Sequence, residues 1–408
     1  MRLRRIVRPV LKPLLDANER SSRRGAEAAL AELRAHLDAR HDALRATLAQ
    51  TEAAGAGRAR DLAAEVQRIQ SALGELDRRL MRLPAGAPRP APRVASENAG
   101  PVTGGATSIP QQLAPLLRDP LVVIDVGCRW GFADAWERLG DRCRCIGFEA
   151  DAAEAAALRA HYAGWPNVEV VAQALGAAAG PATLHVTSEP ACSSIYAPID
   201  EVADRFPQHE LTRFSHSEEI RLRPLDSWCE ESGLERADVL KIDVQGAELD
   251  VLRGGTRLLR SVQVAEIEVE FNRIYRDQPL FADVDPFMRD HGFVLWRLKN
   301  LTHYGPREGR VGIELPADEY WYVDAVRSTP GGYGQLFWAD AFYVAHEFAY
   351  PTKEMGWELL LRNACLASIL ELHDLALVAL VEALAVAPAE QRGALRPVID
   401  QLRHGLPA

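Results

Sequence analysis

Two short apolar stretches, each running into a carboxylate and then a glycine, constrain the fold of this chain most. They are residues 121–131 (LVVIDVGCRWG) and residues 238–246 (DVLKIDVQG). Each contains a run of Val, Ile and Leu that is too apolar to face water on either side, which is typical of a central strand in a parallel sheet. Ligands of such sheets bind just beyond the carboxyl ends of the strands. We therefore expect an α/β fold that presents Asp125 and Asp243 at a ligand site.

Strand and helix patterns alternate around these stretches, as in a doubly wound sheet. The predicted strands are residues 121–126, 145–149, 168–172, 238–243 and 262–271, with 293–298 and 342–344 as an antiparallel pair at the end of the sheet. The predicted helices are a first helix that ends near Leu139, then 152–162, 224–232, 248–260, 357–386 and 388–402. The stretch 183–223 shows neither pattern and is predicted to be an irregular, substrate-facing loop.

The composition divides the chain into five segments. Residues 1–25 form a basic arm, and 26–83 are rich in Ala, Leu, Glu and Arg. Residues 84–110 are a linker rich in Pro and Gly. The catalytic domain is expected over 111–350, and a C-terminal helical extension over 351–408.

The segment before the linker contains a repeat that predicts self-association. From Leu62 to Leu83 the apolar residues alternate spacings of four and three, the pattern of a coiled-coil seam that needs a partner helix. A helix hairpin, or a helix folded onto the catalytic body, is the alternative. The preceding basic arm is compatible either with disorder or with weak peripheral contact to an anionic membrane surface.

Charge and cysteine content exclude several classes of protein. The formal net charge is −10, although residues 1–60 alone carry +6, so the remainder is strongly acidic and a nucleic-acid-binding catalytic body is not expected. The six cysteines show no Cys-x-x-Cys spacing, which argues against a zinc site or a disulfide framework. No apolar run approaches the roughly 20 residues that span a bilayer. We therefore expect a cytoplasmic protein. If the basic arm binds the membrane, we expect the protein to be peripheral to its inner face.

The glycines after the first strand favour a nucleoside ligand without a pyrophosphate. A dinucleotide site needs G-x-G-x-x-G, but this turn has only Gly127 and Gly131, so a nicotinamide dehydrogenase is disfavoured. Glu149, about 20 residues further on, is placed to bind ribose hydroxyls. S-adenosylmethionine fits this pattern, whereas ordinary turn glycines are the structural alternative. The predicted cofactor-binding residues are Asp125, Gly127, Cys128, Arg129, Gly131, Glu149, Ala150, Gln173, Ala174 and Leu175.

Five motifs resemble the FkbM-type S-adenosylmethionine-dependent methyltransferase family. They are IDVGCRWG, FEAD, ALG, RPLDSW and DVLKIDVQGAELDVLRGG, which occur in this order over roughly residues 121–344. The resemblance implies a Rossmann-like fold and methyl transfer to oxygen, often on a sugar or polyketide hydroxyl. Two departures from the family pattern stand out: Cys128-Arg129 replaces Ala-Asn, and Gln245 replaces a Glu. Arg129 could pair with the carboxylate of the cofactor, and the amide of Gln245 removes one possible acid or metal ligand.

Two strand-end carboxylates are the candidates for the catalytic base. Asp243 is the first and Glu270 the second, since a sugar hydroxyl must lose its proton during methyl transfer. Asp243 could instead hold the amino group of the cofactor. Glu248 is expected to lie in the first turn of a helix. The histidines show no metal-ligand spacing, so no metal site is predicted, and only His303 is kept as a substrate contact.

The sequence therefore predicts a Rossmann-like O-methyltransferase with a coiled-coil helix before it and helices after it. Its expected partners are a small-molecule or glycan acceptor and a second copy of the chain. A non-catalytic S-adenosylmethionine-binding or scaffolding protein, recruited through the coiled coil, is the alternative function.

Overall fold

The computed structural model describes residues 108–304 and 335–405. The predicted basic arm, the predicted coiled coil and nearly all of the predicted linker lie outside these residues, and they stay predictions. The last two residues of the predicted linker belong to the first described helix, which begins at Ile109 and has Pro110 in its first turn, a position that proline favours.

The described residues form one large sheet and one small sheet. In chain order the strands are β1 (Leu121–Val126), β2 (Cys143–Glu149), β3 (Val168–Ala172), β4 (Ala174–Leu175), β5 (Gly180–Thr187), β6 (Phe214–Arg223), β7 (Val239–Ile242), β8 (Val264–Glu270), β9 (Phe293–Tyr304) and β10 (Gln335–Ala345). The large sheet has the order β3-β2-β1-β7-β8-β10-β9, and only β10 runs against its neighbours. The predicted α/β class and the antiparallel pair at the end of the sheet are confirmed.

Helices connect and cover these strands. In the described ranges they are α1 (Ile109–Leu113), α2 (Asp134–Glu137), α3 (Ala152–His161), α4 (Asp200–Arg205), α5 (Leu225–Ser232), α6 (Glu248–Arg253), α7 (Thr256–Leu259), α8 (Phe281–Asp290), α9 (His346–Ala349), α10 (Trp357–Ile369), α11 (His373–Val386) and α12 (Ala389–Gly405). None of these described helices has the length and apolar character needed to cross a membrane.

The two faces of the large sheet are covered by different helices. Successive residues of a strand point to opposite faces. Val123 and Val264 therefore share one core with α1 and α10–α12, whereas Ile124 and Ala265 share the other with α5–α8. The chain adds β2 and β3 on one side of β1, and later adds β7 and β8 on the other side. The carboxyl ends of β1 and β7 thus form a topological switch point, where open α/β sheets bind ligands.

The stretch 183–223 is a correction to the sequence analysis, because most of it is not an irregular loop. Strands β5 and β6 pair antiparallel, and β4 joins β6 in parallel to make the small sheet. Residues 214–219 of β6 are all exposed. A strand without a buried face has no alternation of apolar and polar residues, so the usual strand signal is absent from its sequence.

Three predicted helices are shorter than expected. The helix before Leu139 is only the short α2, followed by a 3₁₀ turn over Gly140–Arg142. The helix predicted over 248–260 breaks into α6 and α7 at Gly254, where a Cβ would lie 2.2 Å from the carbonyl oxygen of Gly176. The helix predicted over 357–386 breaks into α10 and α11, with Glu371 between them at a φ of 60°.

The C-terminal helices share one core with the sheet. Leu360 and Leu366 of α10 and Leu380 of α11 are fully buried, in the same cluster as Val239 of β7. The helices that the sequence predicts after residue 350 therefore pack on the sheet in one continuous core.

A buried ion pair fastens these helices to the amino ends of the central strands. Asp238, just before β7, is 1% exposed. Its Oδ2 accepts hydrogen bonds from the backbone N–H of Val122 at 2.7 Å and from Nη1 of Arg362 at 2.9 Å. Its Oδ1 accepts one from Arg236 at 2.6 Å. Arg362, on α10, also donates to the carbonyl oxygen of Asp119, so one guanidinium links β1, β7 and α10.

Replacing Arg362 with Met should lower the free energy of unfolding by about 3 kcal/mol, because it removes the buried cationic partner of Asp238 and leaves only the more exposed Arg236 beside that carboxylate. Denaturant unfolding of the purified variant measures the change. Arg236→Met is the matched control: the Arg236 side chain is 41% exposed, so its loss should cost about 1 kcal/mol or less. Equal losses in the two variants would contradict a special role for the buried guanidinium.

Candidate active site

The turn after β1 and the turn after β7 touch through their backbones. Gly127 has a φ of 89°, and a Cβ built on it would lie 1.9 Å from the carbonyl oxygen of Asp243. The backbone N–H of Asp243 in turn donates to the carbonyl oxygen of Val126 at 2.9 Å. No side chain fits between these turns, which explains the glycine and fixes Asp243 beside the turn that the sequence assigns to cofactor binding.

Glu149 lies at the carboxyl end of β2 and is 6% exposed. Its Oε1 accepts a hydrogen bond from the backbone N–H of Asp151 at 2.9 Å. Burial raises the pKa of Glu149, while this hydrogen bond and the nearby Arg129 act in the opposite direction. Nη1 of Arg129 lies 4.0 Å from Oε1 of Glu149 and 3.5 Å from Oδ2 of Asp151. Arg129 thus faces the acidic side chains at the end of β2, where the exposed Ala150 also lies.

Asp125 and Cys128 are both buried, at 5% and 1% exposure. Asp125 accepts a hydrogen bond from Nζ of Lys241, on the neighbouring β7, at 3.2 Å. A Cβ added to Gly147 would lie 2.5 Å from Sγ of Cys128, so the thiol packs against β2. Burial raises the pKa of Cys128 well above its ordinary value. The thiol is therefore a protonated packing group, and the backbone of Cys128 is the part that follows the turn.

The segment predicted to lie beside the adenine leads from the large sheet to the small one. Nε2 of Gln173 donates to the carbonyl oxygens of Ala174 at 2.9 Å and Arg221 at 2.7 Å. Ala174 is half-buried in β4, and Leu175 is 6% exposed and belongs to the core. This region offers an apolar edge next to the end of β2.

The turn after β7 is held by carboxylates on both sides. Gln245 has a positive φ of 59°, a backbone conformation that costs a non-glycine residue about 1–3 kcal/mol. Its Nε2 donates to Oδ1 of Asp243 at 2.9 Å and to Oε2 of Glu268 at 2.7 Å. Oε1 of Glu248 accepts from the backbone N–H groups of Val244 at 2.9 Å and Gly246 at 3.0 Å. As expected, Glu248 is also in the first turn of its helix, α6.

Three carboxylates converge behind this turn. One oxygen each of Glu248, Glu268 and Glu270 lie within 4.8 Å of one another, which makes them the group in the described ranges that could surround a cation. Burial raises the pKa of Glu248 to about 7 and holds the pKa values of Glu268 and Glu270 well above the ordinary range. Near neutral pH, protons can therefore neutralise this group.

Glu268 is a site residue that was not predicted from the sequence, although a signal for it was present. Residues 264–270 read VAEIEVE, and alternate positions of a strand share one face. Glu266, Glu268 and Glu270 therefore had to lie in one row. His303, kept as a possible substrate contact, lies within β9, and its Nδ1 is buried without a hydrogen-bond partner among the described residues.

A comparison with known protein families identifies the domain in which this site lies. The methyltransferase FkbM domain matches residues 125–295, which include the last two residues of β1, the Gly127 turn, Glu149 and the Asp243 turn. The chain carries an FkbM methyltransferase domain. The family resemblance read from the sequence is thereby confirmed.

Curated relatives of this FkbM domain include two named methyltransferases. The chain is 28% identical over 181 residues to the 2-O-methyltransferase NoeI of Sinorhizobium fredii, an alignment that covers 43% of this chain and 74% of NoeI. It is 29% identical over 82 residues to the hexuronic acid methyltransferase AglP of Haloferax volcanii, covering 18% of this chain and 34% of AglP. Among solved structures, M. capricolum TrmK in complex with S-adenosyl-homocysteine aligns with 7% identity over 74% of this chain and 97% of that chain, with a TM-score of 0.25.

The FkbM domain brings most of the predicted site residues to one edge of the sheet. Gly127, Asp243 and Glu149 lie at adjacent strand ends, and Asp125 lies one step inside β1. Glu270 is not at this edge, because its side chain is 2% exposed and buried behind the turn.

A Gly127→Ala substitution should lower the free energy of unfolding by at least about 3 kcal/mol, because the added Cβ meets a carbonyl oxygen at a φ that already disfavours side chains. Gly140→Ala is the matched control, since Gly140 also has a positive φ, 54°, but open space around its Cβ position, and it should cost only about 1–2 kcal/mol. Denaturant unfolding compares the two. Equal costs would show that the turns do not touch.

Proposed function

We propose that this protein is an S-adenosylmethionine-dependent O-methyltransferase that acts on a hydroxyl of a saccharide or a related polyhydroxylated acceptor. The observation that carries the proposal is a half-buried carboxylate, Asp243, held against the glycine turn of an FkbM methyltransferase domain. The relatives NoeI and AglP, a 2-O-methyltransferase and a hexuronic acid methyltransferase, support transfer to oxygen and a sugar-like acceptor.

The residues at the switch point fit S-adenosylmethionine. The Gly127 turn stands without a side chain at the carboxyl end of β1, and Glu149 is a buried carboxylate with one oxygen already oriented by a backbone amide. The charge of the edge also fits, because Glu149, Asp151 and Asp243 favour a cationic ligand over the anionic pyrophosphate of a dinucleotide. Gly127, Glu149 and the edge at Ala174 would hold the cofactor.

Bound S-adenosylmethionine supplies an electrophilic methyl group on a sulfonium. The task of the protein is then to hold the acceptor oxygen in line with that group and to remove its proton. Asp243 suits both roles, because Gln245 fixes its Oδ1 and no described residue donates a hydrogen bond to its Oδ2. The second predicted base, Glu270, is less suitable, since its burial raises its pKa and keeps it from an acceptor.

A labelled-methyl assay tests the proposal directly. The protein is incubated with S-adenosylmethionine carrying a labelled methyl group and with panels of neutral and hexuronic-acid-containing saccharides. Transfer of label to an oxygen of a saccharide supports the proposal. Tight cofactor binding with no transfer to any saccharide or other hydroxyl compound would instead favour a cofactor-binding module.

Glu149→Ala should weaken S-adenosylmethionine binding tenfold or more, because a carboxylate that accepts two charge-assisted hydrogen bonds from a ribose contributes about 1.5–3 kcal/mol for each. Calorimetry measures the affinity. Glu169→Ala, at an exposed position of β3, is the control and should bind as the wild type does. Unchanged affinity in Glu149→Ala would remove Glu149 from the cofactor site.

Asp243→Asn should reduce kcat by about 10²- to 10⁴-fold, the usual cost of losing a general base, while the affinity for S-adenosylmethionine changes much less. Asn keeps the shape of Asp243 and can still accept the hydrogen bond from Gln245. Steady-state kinetics with the acceptor found by the labelled-methyl assay separates the two effects. A parallel loss of affinity and rate, reversed at saturating cofactor, would show that Asp243 binds the cofactor instead.

A further inference from the structure

Gln245 has a backbone conformation that is strained for a residue with a side chain. Its φ is 59°, and Gly246 after it also has a positive φ, 93°. Because Gln245 has a Cβ, this conformation costs it about 1–3 kcal/mol, and contacts of its side chain can offset that cost.

The amide of Gln245 makes three contacts with polar side chains. Nε2 donates to Oδ1 of Asp243 at 2.9 Å and to Oε2 of Glu268 at 2.7 Å. On the other side, Oε1 accepts from the hydroxyl of Tyr275 at 3.2 Å. Tyr275 is fully buried, and its hydroxyl is also within 2.7 Å of the carbonyl oxygen of Cys192.

The chemistry of these partners decides which way the amide points. Carboxylate and carbonyl oxygens accept hydrogen bonds, and the single proton of the Tyr275 hydroxyl is shared between the carbonyl oxygen of Cys192 and Oε1 of Gln245. The NH₂ end faces the carboxylates of Asp243 and Glu268, and the oxygen faces the hydroxyl of Tyr275. One amide thus joins the side chains of Asp243 and Glu268 across the turn.

We propose that Gln245 is a positioning residue whose NH₂ group bridges Asp243 and Glu268, and that it holds the strand-end carboxylate in place where a cation would otherwise be needed. The bridge itself is independent of the proposed function. Only its consequence for catalysis, the orientation of Asp243 toward an acceptor hydroxyl, depends on that function.

The surrounding carboxylates leave little room for a cation in the wild-type protein. Oε1 of Glu248 already accepts from two backbone amides, and Oε2 of Glu268 already accepts from Gln245. Glu270 is 2% exposed and lies behind both. The donors of Gln245, together with protons on the buried acids, balance the negative charge that faces this turn.

Gln245→Glu tests the bridge without any acceptor. The substitution puts a third carboxylate between Asp243 and Glu268, a set of oxygen ligands that Mn²⁺ favours. Calorimetric titration with manganese chloride should show at least tenfold tighter binding to Gln245→Glu than to the wild type. Mn²⁺ should also raise the thermal unfolding midpoint of the variant above its value in EDTA. Gln401→Glu, on the exposed surface of α12, adds the same charge elsewhere and should show neither effect.

Two results would overturn the proposal. Equal Mn²⁺ affinity in Gln245→Glu and the wild type would show that residue 245 does not lie between the carboxylates. Tight Mn²⁺ binding to the wild type itself would show that a cation, rather than the amide, performs the bridging. If Gln245→Glu is unfolded in EDTA, recovery of its circular dichroism spectrum in Mn²⁺ supports the bridge, and a spectrum that stays unfolded in Mn²⁺ counts against it.

The consequence for catalysis has its own test. Gln245→Leu keeps the bulk of the side chain and removes its donors, so kcat should fall at least tenfold while the KM for S-adenosylmethionine stays unchanged. Unchanged kcat in this variant would contradict the positioning role even if the manganese titration supports the bridge. Failure to find any acceptor would count against the proposed function alone, because the manganese titration does not depend on it.

Discussion

The backbone contact between Gly127 and Asp243 is the constraint on which the site depends. Two parallel strands that are adjacent in the sheet but more than 100 residues apart in sequence, β1 and β7, end at the same level because of their register. The turn after each must then pass the other with no side chain between them. This contact brings the turn that would hold a cofactor next to the carboxylate that would receive a proton.

The sheet face that carries this site changes character along its strands. Near the amino ends it is apolar, with Val123 and Val264 under the C-terminal helices. Near the carboxyl ends, Asp125, Lys241 and Glu268 follow on the same face. This change from apolar to charged residues accounts for the raised pKa values of the acids near the carboxyl ends. Burial disfavours their charged forms, and several acids share the space with few cations.

The sequence was sufficient to predict the parts of the fold whose burial is periodic. The strands 121–126 and 168–172 match the structure closely, because a buried strand must be continuously apolar or alternate. The small sheet was missed because β6 exposes most of its residues to solvent. The broken helices were missed for a different reason. At one break the close approach of Gly254 to Gly176 is a tertiary contact that the sequence does not encode, although the pair Gly254-Gly255 also disfavours a helix interior.

The residues of the candidate site also divide into those that the sequence predicts and those that it does not. Glu149 and Asp243 were predictable because they stand directly at the ends of apolar strands. The role of Gln245 was not, since its sequence suggests only a lost acid, and its partner Glu268 lies in another strand 23 residues away. Distances between side chains of different strands depend on register, which a motif does not encode.

The shared core under α10–α12 has a consequence for how such a domain can be transplanted or shortened. The segment that matches the FkbM family ends at residue 295, before β10, which lies between β8 and β9, and before the helices α10–α12 that share a core with Val123 and Val239. A chain cut there would expose an apolar face and leave Asp238 without Arg362. The segment that the family model recognises is therefore not an autonomous folding unit. Another protein that contains this segment must also supply residues that bury that face of the sheet.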